Sequence, residues 1–152
     1  MLPDWIELCR LFSAQGVEFM LIGGQAVIAH GYPRLTKDMD LWLRPTVGNG
    51  KRVLDALTAF GTPFGDITAE RFIGPDLIIM IGREPFRVDL LTHIPGVVFE
   101  DAWQRRLSIT LDGVTVPLIA REDLIANKKA VGRLQDLADV EALEALEALA
   151  PK

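Results

Sequence analysis

The sequence predicts an α+β domain built on a mixed β-sheet, and three observations carry that prediction. Short apolar runs of strand length alternate with stretches whose apolar residues recur at helical spacing. Two strand pairs are joined by tight turns, at Gly82–Pro85 and at Asp112-Gly113, whereas the remaining strands are separated by helices. The stretch from Arg121 onward reads as helix alone. Strands that are partly hairpin-connected and partly helix-separated give a mixed sheet flanked by helices, with a helical segment at the C-terminal end.

The elements follow in order. Residues 3 to 15 form a first helix, with Pro3 in its first turn and Trp5, Leu8, Cys9 and Phe12 on one face. Gly16 ends it. Phe19 to Ile22 is a short, continuously apolar run, as in a buried strand. After Gly23-Gly24 a short helix spans Gln25 to His30, capped by Gly31. Asp38 to Arg44 is the second strand and Lys51 to Phe60 the next helix, with Val53, Leu54, Leu57 and Phe60 on one side. Residues 61 to 66 are a loop. The strands Asp76–Ile81 and Phe86–Thr92 come next, then a short helix over 99 to 106. Leu107–Leu111 and Val114–Ile119 flank Asp112-Gly113, a strong hairpin signal. Helices begin near Arg121 and near Gly132. In the last one Leu134, Leu137, Val140, Leu143, Leu146 and Leu149 recur every three residues. Each such step drifts by roughly 60° around a helix, so the apolar stripe winds. Two readings stay open for this EALEALEALA tail: a helix wedged between elements, or Leu146 and Leu149 meeting another chain.

The 152 residues suit one domain, 1 to 152, with no internal boundary. Hydrophobic residues at 49% and charged residues at 24% are the balance of a folded, non-disordered chain. The single cysteine, Cys9, cannot form an internal disulfide, which fits a reducing, cytoplasmic setting. No stretch is apolar for long enough to span a bilayer, and the N-terminus has no signal-peptide pattern. The net charge of −5 argues against a general DNA binder, which would carry a basic stripe. A local basic group, Arg121, Lys128, Lys129 and Arg133, can still hold a small polyanion.

Asp38 and Asp40 carry the strongest chemical signal. Two residues apart in a strand, they share one face, while Met39, Leu41 and Leu43 point to the other. Like charges that close repel, and burying them unpaired is costly. A divalent cation answers both problems, since Mg²⁺, or Mn²⁺, takes carboxylate oxygens and keeps positions open for phosphate. Asp89 interrupts the later strand in the same way. If that strand neighbours the one holding Asp38, three carboxylates converge. A strand, the Gly23-Gly24 turn and a helix start together make a phosphate cradle. Phosphate cradle and carboxylate metal site are the two parts that phosphoryl transfer needs.

Gly23-Gly24, then Asp38-Met39-Asp40 after a short helix, then Asp89 on a later strand resembles the polymerase-β-type nucleotidyltransferase superfamily. The stretch Gly31-Tyr32-Pro33-Arg34-Leu35-Thr36-Lys37-Asp38 is most similar to small bacterial stand-alone AbiEii-like members, some of which act in toxin–antitoxin pairs. The similarity covers roughly residues 17 to 93. It extends in part to Asp123 through Asp139, where Lys128, Arg133, Asp136 and Asp139 resemble the helical region after the catalytic sheet. The resemblance implies a nucleotidyltransferase fold with a catalytic sheet over about 17 to 119 and C-terminal helices over about 121 to 149. It implies that Asp38 and Asp40 bind two metal ions, and that Asp89 binds the catalytic one and helps deprotonate an acceptor hydroxyl. It further implies that Gly23 and Gly24 hold the triphosphate of an NTP, with Arg34, Lys37 and Lys128 as phosphate contacts. Gly24 stands where many members carry Ser, which removes a hydroxyl from the cradle.

Other chemistries fit worse. No P-loop motif is present. An EF-hand loop starting at Asp38 would place Leu43 at its glycine position and Asn49 at its last ligand. His30 and His93 have no partner at zinc-ligand spacing; His30 reads as a helix-end residue and His93 as a structural one at the site's edge. Lys128-Lys129 taken alone reads as a solvated helix face. Three functions remain: an NMP transferase acting on a tRNA end, a protein hydroxyl or a small molecule; a binding module working through a partner or as a homo-oligomer; and a structural protein with a degenerate site, disfavoured because all three carboxylates are present.

Overall fold

The computed structural model describes residues 1–149. Among them the elements are α1 (Pro3–Ala14), β1 (Phe19–Ile22), α2 (Gly23–Ala29), β2 (Asp38–Leu43), α3 (Val47–Phe60), a short 3₁₀ helix (Ala69–Ile73), β3 (Ile78–Ile81), β4 (Arg87–Leu91), α4 (Phe99–Arg105), β5 (Leu107–Leu111), β6 (Val114–Leu118), α5 (Arg121–Val131) and α6 (Leu134–Leu149). The strands form one sheet in the order β3-β4-β2-β1-β6-β5. It is mixed: β2 runs antiparallel to β1 and parallel to β4, and β1 runs parallel to β6. The two outer pairs, β3–β4 and β5–β6, are the antiparallel hairpins expected from their turns. At the second turn Asp112 and Gly113 both have positive φ, 47° and 81°, the left-handed pair that a two-residue hairpin needs. This is the expected α+β architecture, a mixed sheet flanked by helices.

The central strands show why the register matters. All four residues of β1 are buried, and so are Met39, Leu41 and Leu43 of β2. They join a cluster with Leu8 and Phe12 of α1 and Val53 and Leu57 of α3. Alternation along β2 leaves Asp38 and Asp40 on the opposite, partly open face. The core thus holds one face of the sheet rigid while the other presents the carboxylates.

Two helix starts differ most from the sequence reading, and one short helix is new. The α2 helix starts at Gly23, not Gln25, so the glycine pair is its first turn. The α3 helix starts at Val47, not Lys51, because Thr46 caps it by accepting from the Asn49 backbone N–H at 3.1 Å. Gly50, inside that helix, is a packing position: a Cβ there would lie 2.7 Å from the Phe72 ring. Asn49 is fully buried and stitches the helix start to the chain before it, accepting from Glu18 N at 2.8 Å and donating to the Glu18 and Arg44 carbonyls at 3.0 Å each. The 3₁₀ helix over Ala69–Ile73 was not anticipated.

On α6, Val140 and Leu143 point inward, Leu146 is half-buried, and Leu134 and Leu149 are exposed. The end of the repeat at Ala150 and the expected domain end at residue 152 lie outside the described residues. No helix among the described residues is long and apolar enough to cross a membrane.

Candidate active site

Parallel pairing of β2 with β4 sets Asp40 directly opposite Asp89, with Asp38 two residues earlier on the same face. One carboxylate oxygen from each of Asp38, Asp40 and Asp89 lies within 4.8 Å of the others. Burial, then the charges of Asp89 and Asp38, push the Asp40 carboxyl up to about 6, only partly opposed by Lys128 and Arg87. Asp38 Oδ1 is buried without a hydrogen-bond partner. An orphaned carboxylate oxygen amid converging like charges fits a divalent cation, and the all-oxygen donor set suits a hard one. The three acidic residues can therefore hold a divalent metal.

A group that the sequence reading did not single out stands beside them. Arg87 donates to both oxygens of Asp89, each at 2.9 Å, and that contact raises the already high pKa of the guanidinium. Its signal was present in the sequence: Arg87 lies two residues before Asp89 and so shares its strand face.

The two glycines are set by what presses against them. Gly23 turns the chain at φ +67°, and a Cβ there would sit 2.2 Å from Asp40 Oδ2. At Gly24 a Cβ would meet Thr36 Oγ1 at 2.6 Å and Arg34 Nη2 at 3.0 Å. Bare backbone at this corner lets the carboxylate and the 34–36 segment close onto the start of α2.

The facing wall is cationic and comes from α5 and α6. Lys128 is nearly fully buried, with its Nζ 2.8 Å from Asp139 Oδ2 and 3.3 Å from Asp136 Oδ1. Arg34 reaches across to donate to both oxygens of Asp139, at 2.9 Å each, and Gln135 adds a bond of 3.0 Å. Arg133 Nε donates to Asp136 at 2.7 Å. Burial works against both carboxylates, yet bonds from Arg133 and Lys128 hold Asp136 below the usual carboxylate range, and bonds from Lys128 and Arg34 do the same for Asp139. Three cations against two anions leave this wall net positive. Acidic trio and cationic wall together line a cavity of about 370 Å³.

Several expectations are corrected here. Lys128 is no solvated helix residue; Lys129 is, pairing with Glu144 at 3.3 Å on the surface. The basic group expected at Arg121, Lys128, Lys129 and Arg133 is split, since only Lys128 and Arg133 line this cavity and Arg121 borders another beside His30. Lys37 lies outside the cavity, exposed and 3.7 Å from Glu84. His30 does end α2, and its Nε2–H donates to the Ile119 carbonyl at 2.8 Å. His93 lines the cavity edge.

Two solved structures share this fold. The crystal structure of the lincosamide antibiotic adenylyltransferase LnuA, with lincomycin bound, matches at a TM-score of 0.58 over 95% of this chain and 96% of that one, with 14% identity. The crystal structure of an antigenic nucleotidyltransferase-like protein from Paracoccidioides brasiliensis matches at 0.53 over 95% of this chain and 77% of that one, with 15% identity. Such distant likeness shows the fold, which this chain shares with an adenylyltransferase and a nucleotidyltransferase-like protein. No curated protein gives a significant sequence match. The model of the family described as nucleotidyl transferase of unknown function, DUF2204, matches residues 2–152, and the chain belongs to that family. It is a nucleotidyltransferase.

Proposed function

We propose that the protein transfers a nucleoside monophosphate from an NTP to an acceptor hydroxyl, with Mg²⁺ held by Asp38, Asp40 and Asp89. One observation carries this reading: three carboxylates with oxygens within 4.8 Å face Arg34, Lys128 and Arg133 across a single cavity. When bound, the divalent cation supplies charge neutralisation and Lewis-acid stabilisation at the reacting phosphate. The chain's own residues do the rest. Asp38 and Asp40 provide the ligand oxygens, and Asp89 also accepts the proton of the attacking hydroxyl. Arg87 balances Asp89 in the metal-free protein and releases it on loading. Lys128 and Arg34, stiffened by Asp139 and Asp136, bind the triphosphate beside the bare backbone of Gly23 and Gly24, and Arg133 adds charge at the rim. The adenylyltransferase activity named for the LnuA structure makes ATP the first donor to try.

Calorimetric titration of each NTP with Mg²⁺ or Mn²⁺ tests the reading. One NTP is expected to bind in a metal-dependent way to the wild type and at least about tenfold more weakly to Asp38→Ala. Equal binding by the two proteins sinks the metal assignment.

The exposed Leu134, Leu137 and Leu149 of α6 favour a second reading, in which the protein pairs with another chain as half of a toxin–antitoxin system. Light scattering and co-purification of the wild type against Leu134→Glu/Leu149→Glu test it; a monomer without a specific partner in both cases removes it.

A further inference from the structure

A second cavity, of about 230 Å³, opens next to the first, and His93 lines both. Its position follows from the strand that carries the aspartates. Asp38, Asp40 and Trp42 alternate onto one face of β2, so Trp42 sits one step beyond Asp40, about 7 Å along the strand. Opposite, Leu91 pairs with Trp42 and the chain runs on through Thr92 to His93. Trp42 meets Phe99 of α4 edge-to-face, with ring centroids 5.0 Å apart, and Val97 and Val98 complete the apolar wall.

Polar groups around this cavity are already committed. Arg44 pairs with Glu18 and Glu100, and its guanidinium lies over the Phe99 ring, 5.0 Å from its centroid. Thr92 Oγ1 donates to the Gly74 carbonyl at 3.0 Å. Two polar groups are not: Trp42 Nε1, buried in the wall without a partner, and the exposed His93 imidazole at the rim shared with the first cavity. Such a lining offers nothing to a phosphate chain. It offers apolar contact, the unmet Trp42 donor and the His93 ring at the rim to a neutral molecule of about ring size.

We propose that this second cavity is the acceptor subsite, and that the acceptor is a small neutral alcohol with a compact apolar or ring-shaped body. The proposal rests on the nucleotidyltransferase reading of the first cavity. The body fills the space beside Trp42, Val98 and Phe99, and a hydroxyl carried about 5–7 Å away, the length of two strand residues, reaches Asp40 and Asp89. There the hydroxyl oxygen bonds to the α-phosphorus of the NTP while the bond from that phosphorus to the bridging oxygen breaks. Pyrophosphate leaves with the electron pair, and the hydroxyl proton passes to Asp89. The two cavities are filled together, the cationic wall holding the donor and the aromatic wall the acceptor. Among the described residues the one arginine or lysine lining this cavity is Arg44, which is doubly paired, so the lining itself gives little hold to a polyanionic acceptor such as a tRNA end.

The chain has three tryptophans, so the indole N–H signals of ¹⁵N-labelled protein report on the cavity directly, with Trp42→Phe assigning the one that matters. The probes are benzyl alcohol, cyclohexylmethanol and tryptophol. At least one is expected to move the Trp42 signal saturably, leaving that of Trp5 in place. Val98 is 63% exposed at the cavity, so Val98→Arg blocks entry without disturbing the core. It is expected to weaken the probe at least about tenfold while leaving metal-dependent NTP binding intact. Adding Mg²⁺ and ATP should leave the probe bound. A Trp42 signal that none of the three alcohols moves overturns the proposal, as does unchanged probe binding in Val98→Arg. Displacement of the probe by ATP also overturns it, by assigning the cavity to the nucleobase. Asp40→Asn separates the two readings: it should abolish metal-dependent NTP binding yet keep the probe shift, so either can fail without the other.

Discussion

Asp40 is the residue at which the site is most costly to the fold. Burial and two neighbouring carboxylates raise its carboxyl to about 6, above its unfolded value near 4. Between those values the folded chain binds more protons than the unfolded one. Stability therefore falls as pH rises from about 4 to about 6, and the penalty is complete above pH 6. Asp40→Asn should stabilise the metal-free protein by about 1–3 kcal/mol at pH 7.5 and change it little at pH 4. Urea unfolding of both proteins in the presence of a chelator checks this; an equal gain at both pH values would assign the effect to packing. At this scale much of the site was legible, because a carboxylate inside an apolar strand has few structural reasons to be there. Arg87 was not, since the apolar run around it drew attention to Asp89 alone. The need for glycine at position 24 was hidden too, because it depends on Thr36 and Arg34, which fold back from further along the chain.

The C-terminal helices show how a polar element can be core. Read by its leucines, α6 has a stripe that winds. Its buried residues are Asp136, Asp139, Val140 and Leu143, a regular helical face on which two of the four members are acidic. Counting only apolar residues concealed that face. The two aspartates belong there because Lys128 of α5 and Arg34 of the segment before β2 come to meet them. Asp139 thus ties α6, α5 and the glycine corner together. Removing one partner from such a buried network strands the other charges, and Asp139→Ala should destabilise the protein by about 3–5 kcal/mol. Lys129→Ala, which breaks the surface pair with Glu144, should cost no more than about 1 kcal/mol. Denaturant unfolding of the two variants measures both, and similar losses would mean that the network does not hold the helices to the sheet.

Across the whole molecule, the site exists only because distant segments meet. The corner after β1, the strands β2 and β4, and the helices α5 and α6 all contribute to one cavity. The hairpins were legible because their pairing is local and their turns are marked. The order β3-β4-β2-β1-β6-β5 was not, since β2–β4 and β1–β6 are joined across intervening elements and nothing in the local sequence fixes such pairs. A ligand seated between the acidic trio on the sheet and the cations Lys128, Arg133 and Arg34 bridges parts that unfolding would separate, so it binds the folded chain alone. At about 100 times its dissociation constant it adds about 2.7 kcal/mol, which for a chain of this size raises Tm by about 5–10 °C. Thermal unfolding with NTP and Mg²⁺ together should show that rise. NTP with a chelator should give a much smaller one, because the triphosphate then meets the repelling carboxylates without a cation between them. Asp38→Ala should likewise lose most of the effect. A full rise with the chelator present would mean that the cationic wall binds the nucleotide by itself, and that the three carboxylates serve some purpose other than holding a metal.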